Sequence, residues 1–216
     1  MFAPGSLVVG TSALTYDWRI GNFREAWVDL LHVPEKPIDH WRNRHYKRFS
    51  RMEKRARGKG SLPLRDMARL ARTLACSLVY SVNVQTDTPE SAAALARYTV
   101  EEGIRVDLWK LGAEPCFWAY PGKSVQFWQG GEDYIASMRE FAEAIRGEIP
   151  DARCSIAFSF GDPEWRQEEF DLGIASYSPK FWDDIEFHWW PGLGINELDA
   201  AMAHVFEELE TRALQK

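Results

Sequence analysis

A chain of 216 residues, 45% hydrophobic and 27% charged, is long enough to bury a sizeable core, and this balance excludes a disordered polymer. The net charge of −6 is unevenly spread. Arg42 to Lys59 carries nine Lys or Arg against one acid, Glu53, leaving 17 basic and 31 acidic residues elsewhere. The chain also holds 10 Trp, 12 Phe and 7 Tyr, an inventory that suits flat, amphipathic ligands as well as packing.

The start, MFAPGSLVVG, lacks the basic and long apolar regions of a signal peptide. No stretch approaches the roughly 18 apolar residues of a membrane span, so a cytoplasmic protein without a membrane partner is expected from the sequence as written. Three cysteines, Cys76, Cys116 and Cys154, are widely spaced without a CxxC pair, which predicts reduced thiols rather than a disulfide framework or zinc cluster. His32, His40 and His45 fit no i, i+4 ligand pair, so no metal is expected, and no phosphate-cradling glycine motif points to a cofactor.

Short apolar runs alternate with amphipathic segments along the chain. Ser6 to Val9 predicts a strand running into the polar, aromatic stretch Gly10 to Arg19. The basic block at about 42–60 then interrupts the pattern as an insertion within a single domain spanning 1–216. Its simplest use is a solvated excursion. Binding an anionic polymer by counterion release is the alternative, with nucleic acid not the expected partner.

Leu64, Met67, Leu70 and Leu74 recur at helical spacing, and Cys76 to Val84 predicts the second strand. Thr88, Pro89 and Glu90 form a helix start, a capping hydroxyl followed by proline and an acid in the first turn. Ala92, Leu95, Ala96 and Thr99 continue that helix. Ile104 to Leu111 predicts a strand, then Tyr134, Met138, Phe141 and Ile145 a helix entered from Glu132 and Asp133. Strands over Ala152 to Phe160 and Asp184 to Trp190 follow, and Leu198, Met202, Val205, Phe206 and Leu209 mark a last helix. Such alternation means an α/β fold with a parallel sheet of about five strands. A doubly wound sheet and part of a β/α barrel both fit, and both place ligands at the carboxyl ends of the strands.

At those ends stand the candidate functional residues. Asn83 closes the second strand; Lys110-Leu111-Gly112-Ala113-Glu114-Pro115 closes the third, with Trp118 close behind. The last strand places Glu186 and His188 on one face by alternation and runs into Trp189 and Trp190. A carboxylate among tryptophans suits general acid catalysis on a sugar, because an apolar neighbourhood raises its pKa and rings stack on pyranose faces. Holding a loop by hydrogen bonds is its plainer use. Glu186, as a strand-interior acid, calls for a basic partner such as Lys110 or His188.

Asp107-Leu108-Trp109-Lys110-Leu111-Gly112-Ala113-Glu114-Pro115 resembles the W-x-L-G-N-E-P motif of retaining glycoside hydrolases with a (β/α)8 barrel. This is the clan of β-xylosidases, α-L-arabinofuranosidases and heparanase-like β-glucuronidases. Thr11 to Gly21, with Tyr16, Asp17, Trp18 and Arg19, is similar to that clan's strand-two segment. Ser81 to Thr86 is similar to its strand-three asparagine segment, Glu132 to Pro150 to the helix after the acid/base, and Ile185 to Gly192 to its strand-six H-x-Y-P-G. The resemblance implies an incomplete TIM (β/α)8-type barrel covering strands two to six, with Glu114 as general acid/base. It further implies a plant or uronic-acid-containing polysaccharide as partner and Trp18, Asn83, Ala113, Trp118, His188 and Trp190 at the sugar.

Two departures stand out. Ala113 replaces the asparagine that in the clan bonds the sugar 2-hydroxyl, and a methyl group supplies neither donor nor acceptor. The clan's second carboxylate, on strand seven, finds no counterpart in the 24 residues after Gly192, whereas a retaining mechanism needs two carboxyls about 5 to 5.5 Å apart. Glu186 is the one conceivable substitute. The sequence therefore predicts a truncated or catalytically impaired glycosidase domain, or a non-catalytic carbohydrate-binding remnant. Five strands do not close such a barrel, so self-association or further chain segments are expected to cover the sheet edges.

Overall fold

The computed structural model describes residues 5–9, 16–23, 55, 58–84, 87–112, 128–158 and 167–187. Among them the chain runs β1 (Ser6–Val9), β2 (Tyr16–Asp17), β3 (Asn22–Phe23), α1 (Leu64–Leu74), β4 (Ser77–Val82) and α2 (Pro89–Glu101). It continues through β5 (Leu108–Leu111), α3 (Gly131–Glu148), β6 (Cys154–Phe158), α4 (Gln167–Ser176) and β7 (Asp184–Phe187).

Five strands pair in parallel in the order β1-β4-β5-β6-β7, while β2 and β3 form a separate antiparallel hairpin. This order decides between the two architectures. A doubly wound sheet reverses its strand order at a switch point, whereas here each strand is added on the same side of its predecessor, as in a barrel. The five strands form a curled half-barrel alternating with four helices, an incomplete TIM-type α/β barrel.

Register assigns the faces. Ser81 lies opposite Lys110, Lys110 opposite Ser155, and Ala157 opposite Glu186. Partners in a parallel ladder point the same way, so these residues share one face. The alternate residues Leu78, Tyr80, Val82, Trp109, Leu111, Cys154 and Ile156 are buried in one cluster with the helices. From α3, Tyr134, Met138, Phe141 and Ile145 enter that cluster; from α2 come Ala92, Leu95 and Ala96, in line with their spacing.

Thr88 caps α2 as its sequence predicts, its side chain accepting a 3.3 Å hydrogen bond from Ser91 N, with Pro89 in the first turn. On α1 the buried stripe is Leu64, Met67, Ala68 and Ala71, while Leu70 and Leu74 are 49% and 43% exposed. The i, i+3, i+4, i+7 stripe through two alanines lets the helix approach the sheet closely, which rotates those leucines to its flank.

The strands occupy parts of their predicted spans. Ile104 belongs to the turn after α2, where its N–H bonds Thr99 O at 2.8 Å and Gly103 has φ +61°, so β5 starts at Leu108. The hairpin β2–β3 and helix α4 were not foreseen. Two-residue strands carry no alternation, and α4 (QEEFDLGIAS) has a glycine at its centre.

That glycine has a packing cause. A Cβ on Gly173 would lie 2.9 Å from Glu132 N, and one on Gly131 only 1.9 Å from Phe170 O. The start of α3 and the middle of α4 thus touch backbone to backbone. The predicted helix around Leu198 to Leu209 lies outside the described residues, as does nearly all of the basic block.

Candidate functional site

The exit of β5 is shaped by Gly112. Its φ of +83° lies in the left-handed region, and a Cβ there would meet Val84 Cγ2 at 3.3 Å and the Tyr134 ring and hydroxyl at 3.4 Å. The glycine of the W-x-L-G stretch is therefore favoured by its backbone angle, with close side-chain neighbours around it. Trp109, in the same stretch, is fully buried against Tyr80, with ring centroids 5.8 Å apart.

Between them Lys110 points to the opposite face and forms an ion pair with Glu186. The pair spans from β5 to β7 across β6, whose residues on that face are Ser155 and Ala157. Small side chains there leave room for the lysine stem. The Lys110 and Glu186 side chains are 11% and 24% exposed, so each neutralises a charge that burial would otherwise penalise. Of the basic partners open to Glu186, Lys110 forms an ion pair with it, while His188 lies outside the described residues.

A second constellation gathers where the hairpin meets the start of α2. Gly21 takes φ +60° and packs against Pro63, and Tyr16 donates a 2.8 Å hydrogen bond to Leu62 O. This seats Asp17, Trp18 and Arg19 beside Asp87 and Ser91. Arg19 Nη2 donates to Ser91 Oγ at 2.9 Å, Ser91 Oγ donates to Asp87 Oδ2 at 2.6 Å, and Arg19 Nη1 lies 3.5 Å from Asp17 Oδ1 and 4.0 Å from Asp87 Oδ2. One guanidinium thus bridges two carboxylates.

Trp18 packs on Tyr98 at 5.3 Å between ring centroids, with the Arg19 guanidinium 4.7 Å from its own centroid. Its indole Nε1 is buried without a hydrogen-bond partner.

Trp18 and Asn83, both candidates from sequence, line one small recess together with Tyr16, Tyr80, Asp87 and Ser91; its cavity of about 10 Å³ has room for about one water molecule. Burial pushes the Tyr16 phenol up to about 12, with the Asp17 and Tyr98 charges adding to it. Tyr80 is raised well above the usual phenol range by burial, then by Tyr16, Asp87 and Asp17. Both hydroxyls stay protonated at neutral pH and remain able to donate.

The recess combines aromatic walls with donors and acceptors, but its interior is water-sized, so a larger polar ligand could meet these groups only at the rim. Tyr16, Asp17 and Arg19 entered the sequence reading only as part of the strand-two-like stretch. Asp87 and Ser91 were not singled out; their signal was position at the start of α2.

Comparison with known proteins gives little. No family model matches the chain, and no curated protein matches it. Among solved structures it is similar to a thermostable GH51 α-L-arabinofuranosidase from Thermotoga petrophila RKU-1, with a TM-score of 0.44 and 15% identity over 58% of this chain and 27% of that chain. The chain thus spans about a quarter of that protein's length. The barrel-type winding stated above rests on strand order and register alone.

The remaining candidates, Ala113, Glu114, Trp118, His188 and Trp190, lie outside the described residues, as does Cys116. Cys76 and Cys154 are free thiols, and burial pushes that of Cys154 up to about 11. Among the described residues no three His, Cys, Asp or Glu side chains gather as a metal would require, and no helix is long and apolar enough to cross a membrane.

Proposed function

We propose that this half-barrel is a glycoside-hydrolase-like domain that takes a plant or uronic-acid-containing polysaccharide at the carboxyl ends of its strands. Glu114 occupies the general acid/base position, and turnover is weak. The observation that carries this reading is the exit of β5. Trp109 and Leu111 are buried, and Gly112 takes a left-handed turn that favours glycine, two residues ahead of Glu114.

In this reading Glu114 protonates the leaving-group oxygen. Ala113 fails to supply the hydrogen bonds to the sugar 2-hydroxyl that strengthen in the transition state. Asn83 and the rim around Trp18 contribute polar and aromatic contacts to the sugar chain.

Aryl xylosides, arabinofuranosides and glucuronides test it. The wild type should turn over slowly or not at all, and Ala113→Asn should raise any measured kcat/KM by at least about tenfold, since such bonds contribute several kcal/mol. Robust wild-type turnover that Glu114→Gln leaves intact would remove Glu114 from the mechanism.

A further inference from the structure

Tyr134 reaches from α3 into the last rung of the β5–β6 ladder. Leu111 pairs with Ile156 in register, which sets Leu111 O facing the N–H of Ala157. The Tyr134 hydroxyl donates to Leu111 O at 2.6 Å and accepts from Ala157 N at 3.1 Å. A side chain from the helix layer is thus a member of the strand ladder at the point where both strands end.

Its ring is fixed on two sides, edge-on to Trp128 at 5.2 Å and tilted against Phe170 at 5.7 Å between centroids. The ring edge and hydroxyl also pack beside Gly112, 3.4 Å from where a Cβ on it would lie. Tyr134 is wholly buried, so no solvent competes for these bonds.

We propose that Tyr134 is a positioning residue that pins the carboxyl ends of β5 and β6 and so sets the direction in which the chain leaves Leu111 toward Glu114. The proposal rests on the reading of Glu114 as the general acid/base. A helix residue serves better for this than a strand residue, because its hydroxyl holds both strands at once and its ring packs beside the left-handed turn at Gly112. Nothing about Tyr134 in the sequence distinguishes it from an ordinary core position on α3.

The test is Tyr134→Phe, read by NMR in the full chain. Two quantities matter: hydrogen exchange of the Ala157 amide, and titration of the Glu114 carboxyl. With the hydroxyl gone, exchange at Ala157 should accelerate about tenfold, the change expected for one buried hydrogen bond. The Glu114 midpoint should move by at least about half a pH unit, because it follows the pinned end of β5 by three residues and, under the proposal, takes its direction from that end. Glu148, half-buried and ion-paired to Arg97 at the far end of α3, serves as the control carboxyl that does not move.

Phe170→Leu loosens the same ring from behind without touching either strand, and should move both quantities less in the same sense. It carries the test if Tyr134→Phe does not fold. An accelerated Ala157 amide with an unmoved Glu114 titration in both variants would overturn the proposal and leave Tyr134 a packing residue. Failure of the carbohydrate reading is seen separately, in the glycoside assays on the wild type.

Discussion

The two faces of the five-stranded sheet are built on opposite principles. Toward the helices, Leu78, Tyr80, Val82, Trp109, Leu111 and Ile156 interlock with α1, α2, α3 and α4 in one apolar cluster. The other face carries Ser81, Lys110, Ser155 and Glu186, with the two serine hydroxyls buried and unpartnered and the charges matched across β6. Tight apolar packing is intolerant of added volume, whereas the polar face is intolerant of an unmatched charge. Substitutions that separate these two sensitivities are the way to test the contrast.

The largest effect is expected on the helix side. A Cβ on Gly131 collides with the Phe170 carbonyl, which is helix backbone and has no rotamer to adopt. Gly131→Ala should therefore cost about 3 kcal/mol or more in denaturant unfolding, at the upper end for overpacked sites. A loss under about 1 kcal/mol would mean that α3 and α4 separate easily, and the close-packed account of this face would fail.

On the polar face, Lys110→Met alone should destabilise by about 2 kcal/mol, because it removes the cation paired with a partly buried carboxylate; the usual cost of breaking a buried pair is reduced here by the exposure of Glu186. Adding Glu186→Leu should recover most of that loss. Equal damage from the single and double variants would show that Lys110 acts through packing of its stem rather than by matching charge.

The helix side was the more legible in sequence, and the reasons are physical. On α2 and α3 the apolar residues recur at helical spacing because the helices lie flat on a sheet, and Thr88-Pro89-Glu90 writes the cap directly into the chain. On α1 the same reasoning chose Leu70 and Leu74 over Ala68 and Ala71, since sequence shows which side chains are apolar but not how closely a helix approaches. Helix α4 escaped because Gly173, which its contact with α3 demands, is a poor helix former.

At the strand ends, Lys110 could be named beside His188 as a partner for Glu186, because a strand-interior acid calls for a base. The bridge from Arg19 to Asp87 and Ser91 could not, because those residues are about 70 positions apart and meet only through the hairpin. Tyr134 was legible as core, but its place in the ladder depends on the register of two strands.

A smaller effect belongs to pH. The raised phenols of Tyr16 and Tyr80 ionise in the unfolded chain near pH 10 but stay protonated in the folded one. Their contribution to stability is complete below pH 10 and is lost as pH rises through the folded value, about 12 for Tyr16. Absorbance at alkaline pH should show them unionised at pH 11 for as long as the fold persists, then ionising together with unfolding. Ionisation of all seven tyrosines near pH 10 in folded protein would contradict their burial.

Carbohydrate binding at the strand ends is tested most directly by titrating the intact chain with xylo- or glucurono-oligosaccharides and following tryptophan fluorescence, beside Asn83→Ala. The wild type should give a saturable change with one of the two sugars, and Asn83→Ala should weaken it by about tenfold or more, the effect of losing a buried hydrogen-bonding group. No saturable change with either sugar, or a Kd that Asn83→Ala leaves unaltered, would contradict it.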